Sequence, residues 1–336
     1  MGIKVGINGF GRIGRLAIRA GMQQGGFEFM GINDHKAPKQ LAYLFKYDTV
    51  FGRYQGTVEY TENSLIIDGM EIRVYNCNSP SEIPWSEVGA EYIIESTGKF
   101  KKIKDASGHL QGGAKKVIIT APSNDAPTFV MGVNNNLYTP DMDVVSNASC
   151  TTNCLAPLVK ILDDAFGVKR GIVTTVHSAT TSQNTVDGRP PKDDWRMGRA
   201  FAANMIPTST GAAKAVGKVI PHLNGLMTGV AIRVPTLDVS LVDLVATLRE
   251  PATYEEICAE IKRASENEMK EYFGYTDEPL VSTDFVGITV GGVFDAGAGL
   301  SVDEHFTKVF AWYDNEYGYT SMTMKLLKYM YEVDHR

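Results

Sequence analysis

The sequence predicts an α/β protein with a parallel-sheet domain followed by an α+β domain that contains a mixed or antiparallel sheet. In the first half, short β-rich runs alternate with segments of helical periodicity, which is the pattern of βαβ units. After residue 150 the β-rich runs become longer and fewer helical segments separate them. We therefore predict a first domain over residues 1–149, a second over 150–314 and a terminal segment over 315–336.

The first-half elements are predicted from apolar runs and the turn residues between them. A helix over Arg12–Gln23 has apolar residues at helical spacing and connects the first two strands. The predicted strands of this half are Ile3–Asn8, Phe27–Asn33, Glu91–Glu95, Lys116–Ala121 and Asp143–Ser146.

The second half begins with a predicted helix over Thr151–Phe166, whose leucines recur on one face. Another helix is predicted over Gly318–Glu332, and the polar segment Val186–Arg199, rich in proline and charge, is predicted to be a long loop. The predicted strands here are Gly171–His177, Thr228–Val234, Ser240–Leu248, Gly287–Phe294 and Thr307–Tyr313.

Composition limits the class of protein. Of 336 residues, 43% are hydrophobic and 21% are charged, which is typical of globular domains, and the net charge of −6 argues against a dedicated nucleic-acid binder. No run approaches the roughly 20 apolar residues of a membrane span, and the N-terminus lacks the apolar core of a signal peptide. Four cysteines without metal-ligand spacing favour a reducing cytosol and predict no metal site.

The first strand leads into Gly9-Phe10-Gly11-Arg12-Ile13-Gly14, which has the spacing G-x-G-x-x-G. The glycines allow a tight turn, close approach of a pyrophosphate, and packing of helix on strand. Asp34 lies about twenty positions further on, where a carboxylate binds the ribose of a dinucleotide. The pattern predicts a Rossmann domain that prefers NAD to NADP, although His35 and Lys36 could weaken that preference. The alternative is a glycine-rich turn beside a surface aspartate.

Cys150 lies between a strand end and a helix start, where the helix dipole and free N–H groups are expected to lower its pKa. Its position alone also fits a small buried residue, and we assign that role to Cys154. A nucleophilic cysteine needs a base, and His177 ends an apolar strand, although the sequence does not show whether it reaches Cys150. The other histidines are predicted in loops or on polar helix faces: His35, His109, His222, His305 and His335.

Eight ordered segments resemble the glyceraldehyde-3-phosphate dehydrogenase family, and together the resemblance covers essentially the whole chain. They are GINGFGRIGR (6–15), ASCTTNCLAP (148–157), TTVHSATTSQNTVDG (174–188), PTSTGAAKAVGKVIP (207–221), RVPTLDVSLVDL (233–244), STDF (282–285), FDAGAG (294–299) and WYDNEYGY (312–319).

The resemblance implies a role for each matching residue. Cys150 would form a thiohemiacetal and then a thioester, with His177 as base and phosphate as the group that releases the product. Thr180 and Arg233 would bind the substrate phosphate, and Ser149, Thr151, Thr210 and Gly211 the attacking phosphate. The residues implied for NAD are Gly9, Gly11, Arg12, Ile13, Gly14, Asp34, Thr120 and Asn315.

The resemblance also implies a cytoplasmic homotetramer that makes 1,3-bisphosphoglycerate from glyceraldehyde 3-phosphate, phosphate and NAD, and whose terminal helix returns to the first domain. No specific nucleic acid is predicted as a partner. Three alternatives remain: an erythrose-4-phosphate dehydrogenase, an NADP-using biosynthetic form, and a catalytically silent NAD-binding protein. Two departures from the family pattern, Asn78 near the adenine and the loop 189–194 between subunits, leave cofactor selectivity and tetramer contacts less defined.

Overall fold

A computed structural model describes residues 2–190 and 194–336, which divide into two compact units. The first unit contains Phe129 and the residues before it, together with Asn135–Ala148 and Thr323–Arg336. The second contains Val130–Asn134 and Ser149–Met322. In the part of the chain that is described, no helix is both long enough and apolar enough to cross a membrane.

The first unit contains an eight-stranded sheet within the described residues, in the order β3-β4-β5-β2-β1-β6-β7-β8. Its strands are β1 (Ile3–Asn8), β2 (Phe27–Asn33), β3 (Val58–Tyr60), β4 (Ser64–Ile67), β5 (Met70–Tyr75), β6 (Tyr92–Glu95), β7 (Lys116–Ile119) and β8 (Val144–Ser146). All pairings from β5 to β8 are parallel, and only β3, β4 and β5 pair antiparallel. The predicted parallel sheet is confirmed from β5 to β8, and the antiparallel pairings of β3, β4 and β5 were not predicted.

The parallel order places the carboxyl ends of β1, β2, β6 and β7 at one edge of this sheet. Strands β2 and β5 lie on one side of β1, and β6, β7 and β8 lie on the other. The strand order therefore reverses at β1, and ligands of α/β sheets bind in the crevice at such a point.

Helix α1 (Arg12–Gln24) follows the glycine loop and buries the face that includes Gly14, Ile18 and Gly21. The missing side chain of Gly21 allows the helix to approach the Phe29 ring, since a Cβ there would lie 2.6 Å from it. The other helices before residue 149 are α2 (Pro38–Lys46), α3 (Trp85–Val88), α4 (Ile103–Ala106) and α5 (Gly108–Gln111).

The second unit contains a seven-stranded mixed sheet within its described residues, in the order β10-β11-β9-β12-β15-β14-β13. Its strands are β9 (Val168–His177), β10 (Ile206–Ser209), β11 (Met227–Arg233), β12 (Ser240–Leu248), β13 (Phe273–Thr276), β14 (Gly292–Asp303) and β15 (Phe306–Tyr313). The predicted mixed sheet is confirmed. The predicted strand Gly287–Phe294 is wrong in its first half, because Gly287 has φ 83° in a turn and β14 begins at Gly292.

Four longer helices follow residue 149: α6 (Cys150–Phe166), α7 (Ala212–Val219), α8 (Tyr254–Glu266) and α9 (Tyr317–Asp334). Helix α6 begins at Cys150 because the side chain of Ser149 accepts a hydrogen bond from the N–H of Thr152. Helix α8 was not predicted from the sequence, although Thr253 and Glu256 form a capping box at its start.

Candidate active site

The glycine loop lies at the carboxyl end of β1, where the backbone turns sharply into α1. Gly9 has φ 93°, and a Cβ on Gly14 would overlap the carbonyl oxygen of Gly9. A Cβ on Gly11 would instead meet no protein atom within 4 Å. The loop therefore leaves the N-terminus of α1 accessible to a pyrophosphate, whose negative charge the N–H groups there favour.

Asp34 follows β2, and its carboxylate faces the glycine loop. Its Oδ2 accepts a hydrogen bond from the N–H of Phe10 at 2.9 Å. Its Oδ1 accepts from the backbone N–H of Lys36 at 3.0 Å and from the Lys36 ammonium at 3.2 Å. The glycine loop, Asp34, Lys36 and Lys99 are part of the lining of a groove of about 240 Å³. A glycine-lined helix start beside a carboxylate fits the pyrophosphate and ribose of a dinucleotide.

Two further cofactor predictions concern side chains that are engaged within the protein. The Arg12 guanidinium lies 2.5 Å from the Asp48 carboxylate and over the Phe51 ring. The Thr120 hydroxyl donates to the carbonyl oxygen of Glu95 at 3.0 Å. We therefore expect Arg12 and Ile13 to contact a pyrophosphate through backbone N–H groups, and the roles of these residues stay predictions.

His109 is fully buried, so its predicted position in a loop or on a polar helix face is wrong. The Trp85 indole N–H donates to its Nδ1 at 3.0 Å, which makes Nδ1 an acceptor. Its Nε2 therefore carries the proton and donates to the buried Glu95 carboxylate at 3.1 Å. Glu95 also accepts from the Asn8 amide at 2.6 Å. This network links the core to the end of β1, beside the groove.

In the second unit, the structure places the Cys150 sulfur 3.5 Å from Nε2 of His177. Cys150 is the first residue of α6, and His177 is the last residue of β9. The Nδ1 of His177 lies 2.8 Å from the carbonyl oxygen of Ser178. Nδ1 has two neighbours that require opposite tautomers: the Ser178 carbonyl oxygen accepts a proton from Nδ1–H, whereas Nη1 of Arg233 can only donate to an unprotonated Nδ1. Only the tautomer with its proton on Nδ1 leaves the Nε2 lone pair facing the thiol, and a base needs that tautomer. This is the arrangement of a nucleophile and its base.

Arg233 lies beside the same imidazole, because β11 pairs with β9 in a register that places Arg233 next to His177. Its Nη1 lies 2.6 Å from Nδ1 of His177 and donates to the Ser178 carbonyl oxygen at 3.1 Å. Burial, followed by the Arg233 charge, lowers the pKa of His177 from 6.5 to about 3. The imidazole is therefore neutral at physiological pH and can accept a proton.

The prediction of a lowered pKa for the Cys150 thiol is wrong. Burial raises its pKa above the ordinary value, and this outweighs the opposing effects of the Arg233 charge and of the Thr151 hydrogen bonds. Desolvation disfavours the thiolate more than the helix start favours it. The raised pKa keeps Cys150 a thiol at neutral pH.

Arg233 also has the features of an anion-binding residue. Its Nε is buried without a hydrogen-bond partner, and it forms no salt bridge with a carboxylate among the described residues. An arginine in this state favours a bidentate anionic ligand. Thr180, the other residue predicted for the substrate phosphate, has its hydroxyl 3.0 Å from the Ser182 hydroxyl.

The residues predicted for the attacking phosphate lie near two helix starts. Ser149 caps α6, and its hydroxyl lies 2.7 Å from that of Thr152. The Thr151 hydroxyl lies 2.8 Å from that of Tyr313. Thr210 accepts from the N–H of Ala212 at 3.2 Å, and Gly211 is the N-cap of α7 with open space where a Cβ would lie. These four assignments stay predictions.

Asn315 is buried and held in one orientation. Its Oδ1 accepts hydrogen bonds from the hydroxyls of Ser178 at 2.8 Å and Ser240 at 2.7 Å. The Ser240 hydroxyl in turn accepts the N–H of Ser178. This arrangement fixes which end of the Asn315 amide offers its N–H donors, and it gives Ser178 a role that the sequence did not reveal.

Sequence reasoning missed Tyr313 and Asp238. The Tyr313 hydroxyl bridges those of Thr151 and Thr175, and its ring packs edge-on against His177, with centroids 5.9 Å apart. Asp238 is buried beside the carboxyl group of Asp314. Burial and the charge of Asp314 raise the pKa of Asp238 to about 8, so it carries a proton at neutral pH. The contacts of Tyr313 join residues from different elements, so the local sequence around it does not predict them.

Asn78 and the loop 189–194 are the two departures from the family pattern. Asn78 donates its backbone N–H to Glu82 at 3.3 Å. In the loop 189–194, residues 191–193 lie outside the described residues, and the loop continues into a 3₁₀ turn over Trp195–Gly198. Across residues 2–190 and 194–336, no group of three or more histidine, cysteine or acidic side chains could hold a metal ion.

Comparisons with known proteins give one consistent result. Residues 3–103 match the family model of the glyceraldehyde 3-phosphate dehydrogenase NAD binding domain, and residues 149–315 match that of its C-terminal domain. The chain is 57% identical over 332 residues to glyceraldehyde-3-phosphate dehydrogenase 2 of Mucor circinelloides f. lusitanicus, with 98% of each chain covered. It is 54% identical over 331 residues to the enzyme named cytosolic in Craterostigma plantagineum, again with 98% of each chain covered.

Proposed function

The chain belongs to the glyceraldehyde-3-phosphate dehydrogenase family, and from this premise we infer that it oxidises D-glyceraldehyde 3-phosphate to 1,3-bisphosphoglycerate with NAD and inorganic phosphate. The observation that carries the proposal is the cluster of Cys150, His177 and Arg233. It combines a nucleophile, a neutral base and an anion-binding cation within hydrogen-bond distance of one imidazole.

The cofactor fits the first unit. The N–H groups at the start of α1 would hold the pyrophosphate of NAD, and Asp34 would accept hydrogen bonds from its adenosine ribose. When bound, NAD supplies the acceptor for the hydride that the substrate carbon loses. Asn315 would offer its amide N–H groups to the nicotinamide amide.

The first covalent step begins with the Cys150 thiol. Nε2 of His177 takes the thiol proton as sulfur attacks the aldehyde carbon, and the product is a thiohemiacetal. Because Arg233 disfavours an imidazolium, the proton is held only briefly and returns to the substrate oxygen. A positioned base of this kind contributes about 10²–10⁴-fold in rate.

Arg233 also couples substrate binding to this base. In the free protein its charge lies against Nδ1 and lowers the pKa of His177. A substrate phosphate bound to Arg233 would offset that charge, so that the pKa of His177 would rise and proton transfer from the thiol would become easier. The base thus strengthens when the substrate is in place.

As the thiohemiacetal loses its hydride, Nε2 of His177 takes the hydroxyl proton, and a thioester remains on Cys150. Phosphate then attacks the carbonyl carbon of this thioester. Backbone N–H groups at the starts of α6 and α7, with Ser149 and Thr210 beside them, suit the oxygens of that phosphate. The carbon–sulfur bond breaks, the thiolate recovers a proton from His177, and the acyl phosphate leaves. Oxidation and phosphorylation are thus joined through one covalent intermediate.

We further propose that the protein works in the cytosol in glycolysis and gluconeogenesis, as a homotetramer. Support for the location is the relative that is named cytosolic. The tetramer rests on the family resemblance of the segment after Asp187. Measurement of the mass in solution by light scattering would test it, and a monomeric mass would contradict it.

The proposed reaction is tested by following NAD reduction with glyceraldehyde 3-phosphate, with and without phosphate. We expect steady turnover only with phosphate, or with arsenate in its place. Cys150→Ser should abolish it, and the matched variant Cys258→Ser should retain it, because Cys258 lies in α8, where Tyr254 and Glu255 are the groups that act on its thiol. Equal steady rates without phosphate, or full activity of Cys150→Ser, would contradict the proposal.

A further inference from the structure

The groove at the glycine loop contains more positive than negative charge. Its lining includes one carboxylate, from Asp34, and two ammonium groups, from Lys36 and Lys99. Lys99 is exposed and forms no salt bridge among the described residues. An adenosine pocket that rejects a 2′-phosphate by charge needs the opposite balance, with an unopposed carboxylate at the ribose.

Asp34 is not unopposed in this chain. Three donors already bind its oxygens: the N–H groups of Phe10 and Lys36 and the Lys36 ammonium. A carboxylate has about four lone-pair sites, so few remain for the two hydroxyls of a ribose diol. The dinucleotide therefore gains less from Asp34 than it would from a free carboxylate.

The Lys36 ammonium also changes the field of Asp34. At 3.2 Å the two charges form an ion pair, whose field falls off faster with distance than that of a lone carboxylate. The side chain of Lys36 is 47% exposed, while that of Asp34 is 10% exposed, so the cation is the more accessible of the two. An approaching dianionic phosphate would meet the ammonium as a donor.

We propose that this groove accepts NADP as well as NAD, with Lys36 and Lys99 binding the 2′-phosphate. The inference rests on the proposed function and extends its cofactor class. The oxidation is otherwise unchanged: the substrate carbon loses a hydride with its electron pair, and the dinucleotide is reduced by the same two electrons. No further reactant is needed.

Binding can be measured without turnover, by calorimetric titration of the whole protein with NAD and with NADP. The variants are Lys36→Gln and Lys99→Gln, with Lys39→Gln and Lys101→Gln as controls, because these exposed lysines do not line the groove. We expect each groove variant to weaken NADP binding about five-fold at low salt and to leave NAD binding within about two-fold. Lys36→Arg keeps the positive charge and should therefore bind NADP like the wild type.

The effect should shrink as ionic strength rises, since exposed charges are screened. Binding of NAD without measurable binding of NADP would overturn the inference and leave the proposed function intact. The inference would also be overturned if Lys36→Gln and Lys99→Gln weakened NAD and NADP binding equally, or if the control variants weakened NADP binding as much as the groove variants. Failure of NAD itself to bind would contradict the proposed function.

Discussion

The protonation state of His177 gives a prediction that can be worked out from the structure. His177 is 4% exposed, and Nη1 of Arg233 lies 2.6 Å from its Nδ1. Its pKa is therefore about 3 in the folded protein, against 6.5 ordinarily. Between these two values the unfolded chain binds a proton that the folded chain refuses. Stability is unaffected above pH 6.5 and is lost as the pH falls below it.

The size of this loss follows from the two pKa values. At pH 5 the difference in proton binding amounts to about 2 kcal/mol, and at pH 7.5 it is close to zero. His177→Asn removes the titrating group. On going from pH 7.5 to pH 5, the wild type should therefore lose about 2 kcal/mol more unfolding free energy than the variant.

Urea unfolding at fixed protein concentration, carried out at both pH values, measures the two losses. His305→Asn is the control, because His305 is exposed in the turn between β14 and β15, and this variant should follow the wild type. If the wild type and His177→Asn lose the same free energy, the imidazole is not held neutral by burial and Arg233. Burial and Arg233 would then not set the strength of this base.

Three further predictions concern other charged or close-packed positions. The pKa of the Asp238 carboxyl rises to about 8 on folding, so this group makes the protein less stable as the pH rises. Asp238→Asn should therefore stabilise the protein increasingly from pH 5 to pH 8, by on the order of 3 kcal/mol in urea unfolding. A pH-independent difference between variant and wild type would contradict this. Gly14→Ala should lower the unfolding free energy and weaken NAD binding, because the new Cβ would overlap the carbonyl oxygen of Gly9. Gly11→Ala should weaken NAD binding about ten-fold without changing stability, because a Cβ there meets no protein atom. Unchanged NAD affinity in Gly11→Ala would remove the loop from the pyrophosphate site. Arg233→Leu removes the proposed partner of the substrate phosphate, so the KM for glyceraldehyde 3-phosphate should rise about ten-fold or more. The pKa of His177 measured by NMR should also rise, because the Arg233 charge beside it is gone. An unchanged KM would exclude Arg233 from substrate binding.

The sequence predicted those features that depend on local chemistry. The glycine loop and α1 follow from residues that are adjacent in the chain, and the first-half sheet follows from the alternation of strand and helix patterns. The start of α6 at Cys150 was nearly predicted, because Ser149 is a good cap. The β3–β5 strands were not predicted; β3 and β4 have only three and four residues and lie at the edge of the sheet.

The sequence could not predict features that arise from strand pairing and burial. His177 and Arg233 are 56 positions apart and meet only because β9 and β11 pair in one register. The raised pKa of the Cys150 thiol depends on how much protein covers it, which a helix position does not reveal. The buried His109 follows from its contacts with Trp85 and Glu95, which belong to different elements.

The covalent role of Cys150 is tested most directly by rapid mixing of the protein, NAD and glyceraldehyde 3-phosphate with phosphate left out. We predict a burst of NADH close to one per chain, which then stops because the thioester has no phosphate to release it. His177→Asn should slow this burst about 10²-fold or more, and Cys150→Ser should remove it. A full burst in Cys150→Ser, or NADH formation that continues past one equivalent at an undiminished rate, would contradict the account.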